Sequence, residues 1–183
     1  MLTPSEAGAF FDEHLTRSAF RLEALDHYEV ASDGEDFARH RAGEPEPTWE
    51  RKDPWLKVLR EEKSAGIRRY RVRVLTTPLN DYIRFECEWG YVLNSRAGEE
   101  IHVLDLAEHP LPPEVVDHDF WLLDDLHPLR MHYSERGEFI GIEVVPEALD
   151  DYRKARDALL AAAEPFERWW ARHPEEWREN RSR

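Results

Sequence analysis

Residues 129–145 constrain the fold more than any other stretch of the chain. Leu129, Met131 and Tyr133 alternate with Arg130, His132 and Ser134, the period of two that sends successive side chains to opposite faces of a strand. Glu135-Arg136-Gly137-Glu138 then forms a turn in which Gly137 is free to take a positive φ. Phe139-Ile140-Gly141-Ile142-Glu143-Val144-Val145 returns as the partner, so the stretch predicts a β-hairpin. Just upstream, the unbroken apolar run Phe120-Trp121-Leu122-Leu123, closed by Asp124 and Asp125, suits a short strand buried on both faces. Three consecutive strands between Asp117 and Val145 put a sheet at the centre of the fold.

The flanking sequence supplies helices and further strands. Thr3-Pro4-Ser5-Glu6 is a capping box with proline in the first helical turn, and Phe10, Phe11, Leu15, Ala19 and Leu22 follow at helical spacing, which predicts one helix reaching about Leu25. A second capping box, Ser32-Asp33-Gly34-Glu35, opens a short helix carrying Phe37, and Gly43 to Thr48 is a loop rich in breakers. Asp53-Pro54 repeats the cap-and-proline signal for a helix ending at Gly66. Tyr70 to Leu75 alternates as a strand, and so does Ile101 to Leu106. Residues 81–93 fit either a strand or a helix. Tyr82, Phe85, Trp89 and Val92 form one helical stripe, and helix is the reading adopted. A long helix follows Pro146 and breaks at Pro165, beyond which Trp169, Trp170 and Trp177 are expected to pack back on the N-terminal helices.

These elements predict an α/β fold. Its mixed sheet is assembled from residues 69–75, 101–106, 119–124, 128–134 and 139–145, flanked by N-terminal helices and the long C-terminal helix. The expected organisation is an N-terminal helical segment, 1–53, joined to an α/β domain, 54–183, in one compact unit.

Charge and composition narrow the function classes. A formal net charge of -14 over 183 residues repels a phosphate backbone, so direct nucleic-acid binding is not expected. The same acidity is compatible with docking a basic protein. Arg68, Arg69, Arg71 and Arg73 are the basic cluster, read as a solvated strand face paired with nearby glutamates. Cys87 is alone, which excludes an internal disulfide and a thiolate metal site. The N-terminus lacks the basic and apolar regions of a signal peptide and no segment approaches membrane-spanning length, so a cytoplasmic location is expected.

Glycine-rich phosphate loops, dinucleotide fingerprints and nucleophile elbows are missing, and no cofactor is expected. Asp117, His118, Asp119, Asp124, Asp125 and His127 offer oxygen and imidazole ligands. Strand alternation sends neighbours to opposite faces and their spacing matches no metal motif, so no metal site is expected. A small-molecule cleft at the strand ends would draw on Trp121, Asp124 and Arg84, with Arg73 as a further binding residue.

Five blocks carry a family resemblance: Arg17 to Glu23, Arg71 to Val74, Asp81 to Glu86, Ala97 to Ile101 and Asp119 to Asp125. In this order they resemble a family of uncharacterised actinobacterial proteins classed as a domain of unknown function. The resemblance implies genomic companionship with helix-turn-helix regulators of the Xre type, hence a regulatory or interaction protein partnering such a regulator. A weaker likeness is to one half of a phospholipase D-like domain, whose strand carries His-x-Lys-x-x-x-x-Asp. The matching positions are His118, Phe120 and Asp125, with Ala163-Glu164-Pro165 ending the helix beneath. Phe120 stands where lysine would hold phosphoryl oxygens, so the likeness implies a degenerate site. A phosphodiesterase built this way would use His118 and Asp125 and be completed by a second copy in a homodimer.

Overall fold

The computed structural model describes residues 1–181. Strand β1 (Ser18–Glu23) pairs in parallel with β2 (Arg68–Leu75), and β2 in parallel with β3 (Glu100–Asp105). On the other side of β1, β4 (Phe120–Leu123), β5 (His127–Tyr133) and β6 (Phe139–Val144) run as an antiparallel meander. The two-residue β7 (Glu164–Pro165) closes the far edge against β3. The result is a seven-stranded mixed sheet of order β6-β5-β4-β1-β2-β3-β7 in an α/β fold.

Helix α1 (Pro4–His14) starts at the expected capping box, the Glu6 amide donating to the Thr3 hydroxyl and the Thr3 amide to the Glu6 carboxylate. It stops at His14 instead of running to Leu25. The Asp124 carboxylate accepts from the amides of Thr16, Arg17 and Ser18, which a continuing helix would spend on carbonyls four residues back. The released chain becomes β1, central to the sheet. Asp124 can do this because Asp124 and Asp125 both take positive φ, 51° and 64°, as a tight type I′-like hairpin turn between β4 and β5 requires.

Between β1 and β2 lie α2 (Asp36–Arg41) and α3 (Trp49–Ser64). The short helix begins at Asp36, after a 3₁₀ turn at Ala31–Asp33; the Ser32 side chain of the expected capping box lies outside the described residues. Helix α3 begins four residues before Asp53 and carries Pro54 inside it. The Asp36 carboxylate sets this start by holding the Thr48 amide and hydroxyl, the latter at 2.6 Å. The helix expected over residues 81–93 is present and runs on to Ala97: α4 (Asp81–Phe85), a π-helical turn (Glu86–Tyr91) and α5 (Val92–Ala97). Asn80 caps α4 by accepting from the Ile83 amide at 2.8 Å. The long helix α6 (Leu149–Ala162) breaks before Pro165, and α7 (Phe166–Ala171) follows.

The two faces of the sheet differ in kind. On one, Phe20, Leu22, Val72, Leu104, Phe120 and Leu122 pack under Tyr152, Ala155 and Leu159 of α6 in an apolar core. The other is covered by α1 toward β6 and by α3 and residues 81–97 toward β3, and it receives Arg21, Glu23, Arg69, Arg71 and Arg73. These arginines do not form a solvated face. Arg69, Arg71 and Arg73 are 7%, 5% and 1% exposed, because β2 is central and roofed on both sides. The pairing with glutamate holds for Arg69, with Glu62, and for Arg71, with Glu23 and Glu99, while Arg73 donates to the Leu25 carbonyl. The C-terminal tryptophans pack on the molecule itself. Trp169 is fully buried with Phe166 and Tyr91, and Trp177 lies against Trp170. Among the described residues no helix is long and apolar enough to cross a membrane.

Candidate functional site

Strand β2 alternates arginine with apolar residues, so Arg69, Arg71 and Arg73 aim their guanidinium groups at the cover opposite α6. Register places Arg21 beside Arg71 and Glu23 beside Arg73. Glu23 is the hub: Arg71 Nη1 donates to it at 2.7 Å, Tyr91 Oη at 3.0 Å, and Arg21 Nη2 lies 2.9 Å away. Arg71 also donates through Nε and Nη2 to Glu99, whose second oxygen accepts from Asn94 Nδ2 at 3.0 Å. Burial opposes ionisation of Glu23, but the charges of Arg21, Arg71 and Arg73 outweigh it and hold its carboxyl at about 2. It is an anion at any ordinary pH, locked into the floor.

Above this floor lies a cavity of about 260 Å³ between the sheet and its helical cover. Its walls come from separate parts of the chain: Tyr28 and Asp33 from the β1–α2 connection, Lys52 and Trp55 from α3, Tyr82 and Phe85 from α4, and Glu86 and Trp89 from the π-helical turn. Such wide turns recur at functional sites because they break the normal helical stacking of side chains. A more open hollow of about 760 Å³ adjoins the cavity and shares Tyr28, Val30, Asp33 and Tyr82 with it.

Besides Tyr82, three titratable side chains in the cavity wall have no hydrogen bond or ion pair among the described residues: Asp33, Lys52 and Glu86. Burial, then repulsion from Asp33 and Glu23, raises the Glu86 carboxyl to about 7 despite Lys52 and Arg71. Burial likewise raises Asp33 to about 6, against the pull of Lys52. Lys52 is displaced downward by burial, which its acidic neighbours only partly offset. Carboxylates and an amine pushed toward neutrality inside a cleft are the electrostatic mark of sites that bind or react.

None of the residues predicted from sequence lines the cavity, and Arg73 comes nearest, beside Glu23 in register. Arg73 lies at the edge of the chamber floor, 5.2 Å from the centre of the Tyr28 ring, and donates to the Leu25 carbonyl. Trp121 faces α1, edge-on to Phe11 at 5.1 Å, with the Arg21 guanidinium 5.3 Å from its ring. Asp124 is committed to the amides of residues 16–18; burial opposes this, yet those bonds and the Thr16 hydroxyl bring its carboxyl to about 2. Arg84 ties the C-terminal segment down, donating to the Glu176 carbonyl and carboxylate at 2.8 and 3.0 Å. His118 and Asp125 stand at opposite ends of β4. His118 meets Tyr152 Oη at 2.7 Å and Asp117 at 2.9 Å, and Asp125 is paired with Arg156.

The chamber's own set, Arg21, Glu23, Asp33, Lys52, Arg71 and Glu86, was not singled out from sequence. The signal was the arginine alternation of β2 opposite an apolar strand face, and its acidic partner Glu23 was hidden in the stretch read as helix. Asp105, Glu108 and His173 also bring potential metal-ligand atoms within 4.8 Å of one another. There Asp105 is occupied by Thr77 and Ala107, and Glu108 by Arg172.

The model of a family described as a domain of unknown function, DUF6879, matches residues 5–171. No curated protein sequence matches the chain.

Proposed function

The chain belongs to the DUF6879 family, and from the geometry of its chamber we propose that it is a regulatory protein that binds a small polar molecule. The observation that carries this reading is the cavity over the Glu23–Arg71–Glu99 floor, into which Asp33, Lys52 and Glu86 present unpaired charge. All three are half-buried, and charge withdrawn from water without a partner is costly. Its concentration at one concave, aromatic-lined place is what a binding site requires and a structural core avoids. About 260 Å³ has room for roughly nine waters, which suits a small metabolite.

The walls give such a protein a way to transmit binding. Asp33, Lys52 and Glu86 belong to three elements that share no ion pair across the cavity, so a ligand touching all three draws the β1–α2 connection, α3 and the π-helical turn together. The reader of that change, on this proposal, is the helix-turn-helix regulator that the family resemblance implies, met through the acidic surface. The phosphodiesterase alternative draws no support from the arrangement around His118, whose two ring nitrogens are engaged by Tyr152 and Asp117.

Thermal-shift screening of the full chain against a metabolite library tests the proposal. A ligand that binds the native state must raise the melting temperature, and the expected result is a hit whose shift is lost in Glu86→Gln or Lys52→Met. A library without hits, or hits indifferent to both variants, contradicts it.

A further inference from the structure

Resting on the ligand-binding reading above, we infer that the chamber selects a small organic amine, held between the Glu86 and Asp33 carboxylates and the rings of Tyr82, Phe85 and Trp89. The floor is internally neutralised, since both carboxylates that face Arg71 are bonded to it. Unclaimed guanidinium donors do exist, at Nε of Arg21 and at Nε and Nη1 of Arg73. Arg73 does not line the cavity, and Arg21, which does, is drawn through Nη2 to Glu23 at 2.9 Å and to Tyr133 Oη at 3.2 Å. At the mouth, Arg51 is turned toward Asp36 at 3.9 Å. An incoming anion therefore finds the Lys52 amine and the edges of Arg21 and Arg51, but beside two unpaired carboxyls that repel it.

An incoming amine finds the reverse. Glu86 and Asp33 have no hydrogen bond or ion pair among the described residues, and the charge of Asp33 opposes ionisation of Glu86. A positive charge beside them relieves that repulsion. The rings add to it. Phe85 and Trp89 have centroids 6.0 Å apart and Tyr82 and Phe85 6.1 Å apart, so aromatic surface lines the wall beside the acids. Aromatic faces attract cations, and do so most strongly where water is excluded.

Affinity should then depend on pH through Glu86. Facing it are Glu23 of β1, Arg71 and Arg73 of β2, Asp33 of the β1–α2 connection and Lys52 of α3, with Tyr82, Cys87 and Tyr91 on its own helical segment. Below about 7 the Glu86 carboxyl takes a proton, and an amine must expel that proton to bind. The affinity should fall by about tenfold per unit of pH in that range.

Isothermal titration calorimetry of the full chain at pH 6, 7 and 8 is the test, with phenethylamine and agmatine as amine probes and hydrocinnamate and inorganic phosphate as anion probes. The expected result is amine binding that strengthens with pH and weakens at least tenfold in Glu86→Gln and in Asp33→Asn. Both variants should keep the wild-type circular dichroism spectrum. Binding of hydrocinnamate or phosphate in preference to the amines overturns the amine inference while supporting a ligand site. Library hits that include no amine overturn it in the same way. Failure of every probe together with an empty library overturns the amine inference and the ligand-binding reading alike.

Discussion

Two glutamates within one chamber behave in opposite ways, and their surroundings say why. Glu23 receives Arg21, Arg71 and Tyr91 and is held ionised, whereas Glu86 has acids for neighbours and resists ionisation. For Glu86 the native carboxyl titrates at about 7 against an ordinary 4.5, so the native state binds that proton more tightly than the unfolded chain. Its contribution to stability therefore falls as pH rises from about 4.5 to 7 and stays unfavourable above. Glu86→Gln should stabilise the free protein at pH 8 by up to about 3 kcal/mol and have little effect at pH 4. Urea titrations at the two pH values check this, and a residue that weakens the fold while serving a site is the expected signature of function. Arg71→Met should do the reverse. It takes the shared guanidinium from two buried carboxylates, leaving Glu99 with Asn94 alone and Glu23 with Arg21 and Tyr91, and should cost about 3–5 kcal/mol in the same assay.

At the scale of elements, the outcome turned on a single capture. The hairpin of β5 and β6, the helix of residues 81–97 and the break before Pro165 follow from local patterns and were legible in the sequence. β1 was not, because Ala19 and Leu22 continue the helical spacing of Phe11 and Leu15, and what converts them to a strand is Asp124, more than a hundred residues away. No local period encodes that contact. The chamber was illegible for the same reason, since Arg21 and Glu23 belong to that strand. Asp124→Ala should release the start of β1 and cost about 2–4 kcal/mol, from several hydrogen bonds to one ionised carboxylate. In the wild type this contribution is present above the ordinary carboxyl value of 3.8 and is lost as pH falls through about 2. Acid unfolding followed by circular dichroism should thus show the low-pH limb of the wild type flattened in the variant.

Across the whole molecule, the helical cover of the chamber is fastened from behind by the C-terminal segment. Arg84 of α4 holds Glu176, while Arg178 reaches the carbonyls of His40 and Glu44 and the Glu88 carboxylate lies 3.5 Å away. The tail thereby links α2 to the π-helical turn. Arg84→Leu should loosen it, with limited trypsin digestion cutting faster after Arg172 and Arg178 while the sheet persists as a resistant fragment. The net charge of -14 surrounds this arrangement with an acidic surface. Salt-weakened recovery of a basic helix-turn-helix protein in a pull-down is the expected outcome for the proposed partnership.

The central claim is that ligand is taken between the sheet and the helical segment bearing Glu86. Hydrogen–deuterium exchange of the full chain, with and without the tightest amine found by calorimetry, tests it most directly. The account predicts slower exchange in residues 31–36, 49–56 and 81–94, the walls of the chamber, with α6 unchanged. Protection confined to residues 117–127, around His118 and Asp125, would contradict it and move the site to the ends of β4.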